Sequence, residues 1–248
     1  MTAFPSITAV RRTKNGHAIP AVLVIRSSPM PSARQESNRF LVPLFFLEVL
    51  LFVAVIHWPA SRWLTGPLLV LFVALTLFIA YFFRDPERTL PAEPDLIVSA
   101  ADGLVVSVDE MEEPDFQLGR MRRIAVFLSV FDVHVNRSPV RARVKRTFHK
   151  DGQFLDARHL DASTRNECRS WWLEAENGPV AVRQIAGLIA RRIVAWSKEG
   201  SLLVRGERLG MIRFGSRTEV FVPLECIVLV KPGDRVQGAA TPLARWPA

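Results

Sequence analysis

Two long apolar segments near the start of the chain differ from everything that follows. Residues 40–58 read FLVPLFFLEVLLFVAVIHW and residues 67–83 read PLLVLFVALTLFIAYFF. Each is close to the ~20 apolar residues that a helix needs to cross a hydrocarbon core. Because the turn between them is short, the pattern predicts a transmembrane hairpin. Trp58, Trp63 and Tyr81 lie where aromatic side chains anchor helices at the membrane interface.

The charges beside these segments predict which way the hairpin faces. Six basic residues precede the first segment, within a tail of residues 1–39 that we expect to be loosely ordered, whereas the turn carries Arg62. Because Lys and Arg are retained in the cytoplasm, both ends of the hairpin are expected there. Glu48 interrupts the first segment, and a carboxylate in lipid costs ~2.5 kcal/mol or more unless it is protonated or paired. Helices lying in the interface, or buried in protein, are the alternative.

After residue 83 the pattern changes to a linker and then to a domain with short apolar runs. Three prolines within residues 84–95 deny a continuing helix and indicate an extended linker. From residue 96 to 248 the runs are β-branched and separated by turn pairs such as Asn177-Gly178, which predicts a β-rich (α+β), sandwich-like domain. The predicted strands cover residues 96–98, 104–108, 123–128, 140–148, 202–204, 210–213, 219–222 and 226–230.

Residues 184–196, QIAGLIARRIVAW, are the clearest helix candidate of this domain. Apolar side chains recur across them at helical spacing, although a strand leading into a helix is also compatible with the pattern. Arg191 and Arg192 would lie on the polar face of such a helix. There they would contact either lipid phosphate, as substrate-binding residues, or solvent.

The composition narrows the partners of the chain. A net charge of +8 and a pI near 10.4 suit nucleic acid, an anionic lipid surface or an Arg-rich genome. Aromatic residues are not interleaved with the basic ones, whereas apolar spans lie beside basic segments, so we expect anionic lipid and not nucleic acid. Cys168 and Cys226 lack a CxxC partner or a nearby His, so neither a disulfide framework nor a structural zinc is expected.

A Gly-Ser pair, Gly215 and Ser216, lies between two strand-like runs of residues 206–223, GERLGMIRFGSRTEVFVP. Gly215 has no Cβ and can adopt a strained turn that opens its carbonyl to attack by the following hydroxyl. Such pairs are usually ordinary hairpin turns. The pair alone therefore does not identify a reaction.

The context of this pair resembles the short, membrane-linked form of the phosphatidylserine decarboxylase family. The resemblance begins with the RFGSR signature, which is followed after five residues by Pro223. Six further segments occur in the family's order. They are FFRDPER (82–88), SAADG (99–103), FLSVFDVHVNRSPV (127–140), GQFLDA (152–157), QIAGLIARRIV (184–194) and VKPGDRVQGA (230–239).

The resemblance implies a proenzyme that cleaves itself between Gly215 and Ser216. The products would be a β subunit of residues 1–215 and an α subunit of residues 216–248, which remain together as a heterodimer. In the implied chemistry the Ser216 hydroxyl attacks the Gly215 carbonyl, the ester undergoes β-elimination, and hydrolysis leaves an N-terminal pyruvoyl group. The expected cofactor is therefore this pyruvoyl group, with no metal and no pyridoxal phosphate.

The resemblance also supplies a base for Ser216. His134 of DVHVNR and Asp102 of SAADG match the family's Asp-His-Ser arrangement, in which a carboxylate fixes the imidazole tautomer that accepts the serine proton. From the residues alone, Asp102 is a turn former and His134 a strand residue. Longer family members have a second histidine where this chain has Arg137, which cannot act as a base near neutral pH. His134 would then serve both self-cleavage and decarboxylation, unless another residue substitutes.

The implied reaction converts phosphatidylserine to phosphatidylethanolamine and carbon dioxide at the cytoplasmic face of the cell membrane. The pyruvoyl carbonyl would form a Schiff base with the substrate amine and act as an electron sink. His134 or a nearby acid would then protonate the carbanion. Two alternatives are open: a decarboxylase of a related serine phospholipid of the archaeal ether type, and a non-catalytic, membrane-anchored β-domain that binds a partner.

Overall fold

The computed structural model describes residues 32–157, 161–188, 192–213 and 216–247. The first 31 residues, and with them most of the tail predicted to be loosely ordered, lie outside these ranges. Gly215, Arg191 and His159 also lie outside them.

Two long helices open the described chain. Helix α1 covers Ala33–His57 and α2 covers Arg62–Phe82, with a short 3-10 turn at Pro59–Ser61 between them. Both are long and apolar enough to cross a membrane, and nearly all of their apolar side chains are at least partly exposed. The predicted hairpin of two apolar helices is confirmed, although α1 begins seven residues before the predicted span.

Two charged residues of the hairpin, Glu48 and Arg62, make polar contacts within it. Thr76 on α2 donates a hydrogen bond of 2.5 Å to Glu48 Oε1, so the acid that interrupts the first span has a partner on the second. Arg62 closes the turn by donating to the carbonyl oxygens of Val55 and Ile56 at 2.7 and 3.3 Å. Both contacts satisfy polar groups that lipid would leave unpaired.

Short strands and one short helix form the rest of the described chain. Their bounds are β1 Leu96–Val98, β2 Gly103–Glu112, β3 Arg120–Leu128, β4 Val135–Arg137, β5 Ala142–Lys150, α3 Ala162–Arg165, β6 Cys168–Ala175, β7 Gly178–Ala186, β8 Ile193–Ala195, β9 Leu202–Leu203, β10 Arg208–Ile212, β11 Ser216–Val222, β12 Ile227–Val228, β13 Arg235–Val236 and β14 Pro242–Arg245.

These strands confirm the β-rich class. Eight of them form one curled sheet in the order β13-β2-β3-β11-β7-β6-β5-β9, and two three-stranded sheets, β1-β14-β12 and β4-β10-β8, accompany it. Strand β11 lies near the middle and is buried along its whole length, with antiparallel partners β3 and β7 on its two sides. The strand that begins at Ser216 is therefore part of the core.

The helix predicted for residues 184–196 is wrong where the structure describes these residues. Strand β7 continues to Ala186, and Ile193–Ala195 is strand β8. Strand β7 lies between β6 and β11 and is buried on both faces. A strand buried on both faces has a nearly continuous apolar run, and periodicity alone cannot separate such a run from a buried helix.

The chain forms neither helix nor strand over residues 84–95, and ion pairs attach this linker to the domain. The Asp85 carboxylate accepts hydrogen bonds from Arg137 at 2.6 Å and lies 2.5 Å from the Arg208 guanidinium. Arg137 also donates to the Gly206 carbonyl at 2.9 Å. Arg137, for which the resemblance implies a histidine in longer family members, thus joins the linker to the domain.

Candidate active site

Ser216 is the first residue of β11 and is fully buried. It pairs with Leu128 at the end of β3 and with Ala186 at the end of β7. Its Oγ makes no hydrogen bond within the part of the chain that the structure describes. Among the described residues this hydroxyl therefore has no competing partner, which suits its predicted role as a nucleophile.

His134 immediately precedes β4 and is fully buried in largely apolar surroundings. Phe82, the last residue of α2, lies against its imidazole with ring centroids 4.3 Å apart. The His134 Nδ1 lies 2.9 Å from the carbonyl oxygen of Asp132. Because a carbonyl only accepts, this contact favours the tautomer with Nδ1 protonated, in which Nε2 carries the basic lone pair.

Burial also determines the charge of this imidazole. It lowers the pKa of His134 to about 4, while the hydrogen bond and charge of Asp132 act in the opposite direction and Arg84 lowers the pKa further. Burial has the largest effect because it disfavours the charged form. At neutral pH His134 is therefore an uncharged base.

The Asp102 carboxylate is held from two sides. Arg88 donates to Oδ2 at 2.6 Å, and the Gly238 N–H donates to Oδ1 at 2.8 Å. Its segment lies beside β4, because the Ala100 carbonyl accepts the N–H of Arg137 at 2.8 Å. Asp102 thus lies near the strand that follows His134, and its role toward His134 stays a prediction.

A row of polar side chains links the small sheet of β4 to the face of the large sheet that carries Ser216. Thr218 follows Ser216 by two residues, so the two share a face of β11. Gln184 lies opposite Thr218 in the register of β7 with β11. Its amide donates to Asn136 on β4, two residues after His134. Thr218, Gln184 and Asn136 are buried, as Ser216 is. The hydrogen bond between Gln184 and Asn136 therefore joins the two sheets inside the core.

The segment that leads into the cleavage site is tied to the first helix. Arg213 follows β10 and its guanidinium forms an ion pair with Glu36 in the first turn of α1. The same guanidinium lies 5.6 Å from the centre of the Phe40 ring. The Arg213 N–H donates to the Arg192 carbonyl at 3.3 Å. These contacts hold the chain three residues before Ser216.

The other two predicted site residues are the arginines expected to contact lipid phosphate. Arg192 is exposed and precedes β8, so it does not lie on a helix, and Arg191 lies outside the described residues. Among the described residues, no three His, Cys, Asp or Glu side chains are placed to hold a metal ion. Sequence reasoning missed Phe82 and Arg88, which contact His134 and Asp102. Both residues belong to FFRDPER, a segment that already carried the family resemblance and could have marked them as candidates.

This set of groups can perform an acyl transfer within the chain. It combines a buried hydroxyl that makes no hydrogen bond to the described residues, a neutral imidazole, and a carboxylate near the strand that follows this imidazole. A hydroxyl is a weak nucleophile until a base removes its proton, and a neutral imidazole can do this at ordinary pH. The residues present therefore fit the formation of a carbonyl group at position 216.

Comparisons with known proteins give the same family as the sequence motifs. A family model described as phosphatidylserine decarboxylase matches residues 75–244. A phosphatidylserine decarboxylase proenzyme from Symbiobacterium thermophilum is 46% identical to this chain over 219 residues, which are 88% of the chain and 97% of that protein. The residues matched by the family model include Asp102, His134 and Ser216.

Proposed function

This chain belongs to the phosphatidylserine decarboxylase family, and from that premise we propose how its residues produce the activity. The protein is an enzyme that decarboxylates phosphatidylserine to phosphatidylethanolamine. In the proposal, the chain cuts itself between Gly215 and Ser216, and Ser216 becomes the pyruvoyl group of the α subunit. The observation that carries the proposal is the buried Ser216 Oγ without a hydrogen bond to the described residues.

The self-cleavage step uses the neutral imidazole. His134 accepts the proton of the Ser216 hydroxyl as the oxygen attacks the Gly215 carbonyl. The C–N bond between the two residues breaks, the amine keeps the transferred proton, and an ester remains. A base then removes the Cα proton of residue 216 and the Cβ–O ester bond breaks, which releases the Gly215 carboxylate and leaves dehydroalanine. Water hydrolyses its imine tautomer, which releases ammonia and leaves the ketone.

Decarboxylation then takes place at the same position. The pyruvoyl group supplies an electron-withdrawing carbonyl that takes up the substrate amine and the negative charge left as carbon dioxide departs. In the proposal His134 is the proton acceptor and donor for that position, and Phe82, which packs against its imidazole, excludes water from the ring. A placed proton donor matters because protonation at the wrong carbon would consume the pyruvoyl group by transamination.

Intact mass under denaturing conditions tests the proposed cleavage. We expect two polypeptides, of residues 1–215 and 216–248, with the smaller blocked to Edman degradation. Ser216→Ala should stay full length and inactive, because neither the acyl shift nor the ketone can form without Oγ. Ser197→Ala, which removes another buried hydroxyl, is the matched control and should cleave normally. An uncut chain that still decarboxylates would contradict the proposal.

The proposed location is the cell membrane, with both ends of the α1–α2 hairpin in the cytoplasm. The support is the length and apolar surface of the two helices together with the basic residues before them. Single cysteines at positions 39, 63 and 84 test this orientation by labelling from outside intact cells. We expect labelling at position 63 in the turn and none at 39 or 84. External labelling at position 84 would reverse the proposed orientation.

A further inference from the structure

Two loops at one end of the eight-stranded sheet carry exposed apolar side chains. Strands β3 and β7 end at Leu128 and Ala186, and both of these residues pair with Ser216. The loops that follow therefore leave the sheet on either side of the cleavage site. Phe131 on the first loop is 64% exposed, and Leu188 on the second is 66% exposed.

The first of these loops is fastened to the end of the second apolar helix. Tyr81 Oη and Arg84 Nη2 both donate to the carbonyl oxygen of Phe131, at 3.2 and 2.6 Å. The Arg84 guanidinium also lies 3.8 Å from the centre of the Tyr81 ring. Tyr and Arg at the end of an apolar helix keep that end at the membrane interface. Phe131 is therefore held at the level where the helix would leave the bilayer.

The charges at this end of the sheet suit an anionic bilayer. Arg84 lies beside the first loop, and Arg192 is exposed at the end of the second. Basic side chains close to a membrane surface are attracted to anionic lipid, and large apolar side chains gain free energy on entering the acyl boundary. A single exposed apolar residue needs no explanation. Here two of them lie on loops that leave the sheet on either side of Ser216, and one of the two loops is held at the end of α2.

We propose that Phe131 and Leu188 form a membrane-docking surface that inserts into the interface of an anionic phospholipid bilayer. This surface places the Ser216 end of the sheet at the lipid headgroups, so that the substrate's serine can reach the site while its acyl chains stay in the bilayer. The inference rests on the proposed hairpin and goes beyond it, because an anchor alone does not determine which end of the domain faces the membrane.

Fluorescence quenching in vesicles tests the docking surface. Both native cysteines are buried, so thiols introduced by Phe131→Cys or Leu188→Cys can be labelled with the environment-sensitive fluorophore NBD. The control is Glu176→Cys, which is exposed in the turn between β6 and β7, at the other end of β7 and roughly 25 Å away by strand rise. The full chain is reconstituted in phosphatidylcholine–phosphatidylglycerol vesicles that carry a nitroxide lipid quencher at shallow depth or, in a parallel sample, near the bilayer centre.

A further probe separates the failure of this inference from the failure of the hairpin. Leu50→Cys labels an outward-facing position of α1. Quenching at positions 50, 131 and 188, with none at 176, is the expected result. Quenching at 50 with none at 131 and 188 overturns the docking surface and leaves the hairpin in place. Absence of quenching at 50 overturns the hairpin and the docking surface together.

Activity provides a second measurement on the holoenzyme. The double variant Phe131→Ser with Leu188→Ser should lose turnover several-fold on phosphatidylserine in vesicles, and should keep its turnover on a short-chain phosphatidylserine below its micelle concentration. The matched control, Phe131→Leu with Leu188→Met, keeps an apolar surface and should match the unmodified enzyme on both substrates. An equal loss on both substrates would show that the loops act inside the site, and would overturn the docking surface.

Discussion

His134 and Asp102, which the sequence motifs pair as base and acid, lie in opposite kinds of surroundings. His134 is packed against an aromatic ring at the end of α2, and burial keeps its imidazole neutral. Asp102 lies in a polar setting, in an ion pair with Arg88 and a hydrogen bond from Gly238. Phe82 and Arg88 are the two ends of one segment, FFRDPER. Residues 82–88, which connect the two helices to the sheet domain, therefore contact both His134 and Asp102. This segment contributes to the candidate site as well as connecting the two parts of the chain.

The largest effect is expected from removing the imidazole. His134→Ala should slow self-cleavage by ~10² to 10⁴, the usual loss when a positioned general base is removed. The fraction that does mature should also decarboxylate poorly per mole of pyruvoyl group, if one imidazole serves both steps. Denaturing gel electrophoresis over time and turnover per pyruvoyl group measure the two steps separately.

Two further variants keep this prediction testable if alanine destabilises the core. His134→Asn retains a side-chain donor for the Asp132 carbonyl but has no basic nitrogen, so it should fold and cleave slowly. His149→Ala removes a partly exposed histidine that contacts Glu167 and should cleave normally. Normal cleavage and normal turnover in both His134 variants would remove this residue from the mechanism.

A smaller effect is expected from changes at Asp102 and its partner Arg88. Two variants separate a role of Asp102 in orienting the imidazole from a role in the ion pair alone. If Asp102 orients the imidazole, Asp102→Asn should slow cleavage roughly tenfold or more, by favouring the wrong tautomer. Arg88→Gln should slow it less, because it leaves the carboxylate in place and frees one oxygen. The rates are compared at one pH, with thermal unfolding as the control for folding. Equal losses in the two variants would instead assign Asp102 to the ion pair alone.

The smallest effect is a shift in the pH at which cleavage fails. A general base must be uncharged, and the pKa of His134 is lowered to about 4, so the cleavage rate should stay level from neutral pH down to near pH 4 and fall below it. Phe82→Ala should admit water, raise this pKa toward ~6.5, its value in water, and move the fall to higher pH.

The matched control for that shift is Phe83→Ala. Phe83 is buried beside Phe82 and packs on Phe40. This variant tests whether the loss of any aromatic ring at the end of α2 shifts the pH at which cleavage fails. The same shift in both variants would contradict the assignment of the low pKa to the ring that covers His134.

The features predicted well are those that neighbouring residues determine. A run of about 20 apolar residues is long enough for a membrane span wherever it occurs, and the two helices lie where the sequence places them. The β-rich class follows from short β-branched runs and turn pairs, and the Asn177-Gly178 turn does join β6 to β7. The helix predicted for residues 184–196 failed because β7 is central, and a strand buried on both faces loses the alternation that identifies a strand.

The sequence by itself determined the two apolar helices, the β-rich class and, through its motifs, the family and the candidate residues Asp102, His134 and Ser216. Only the tertiary structure decided their surroundings. The low pKa of His134 depends on burial against a helix that ends 52 residues earlier, and Asp102 pairs with Arg88 because the linker folds back along the domain. Burial and charge pairing act through space, so residues distant in sequence determine them, and no local pattern records which residues these will be.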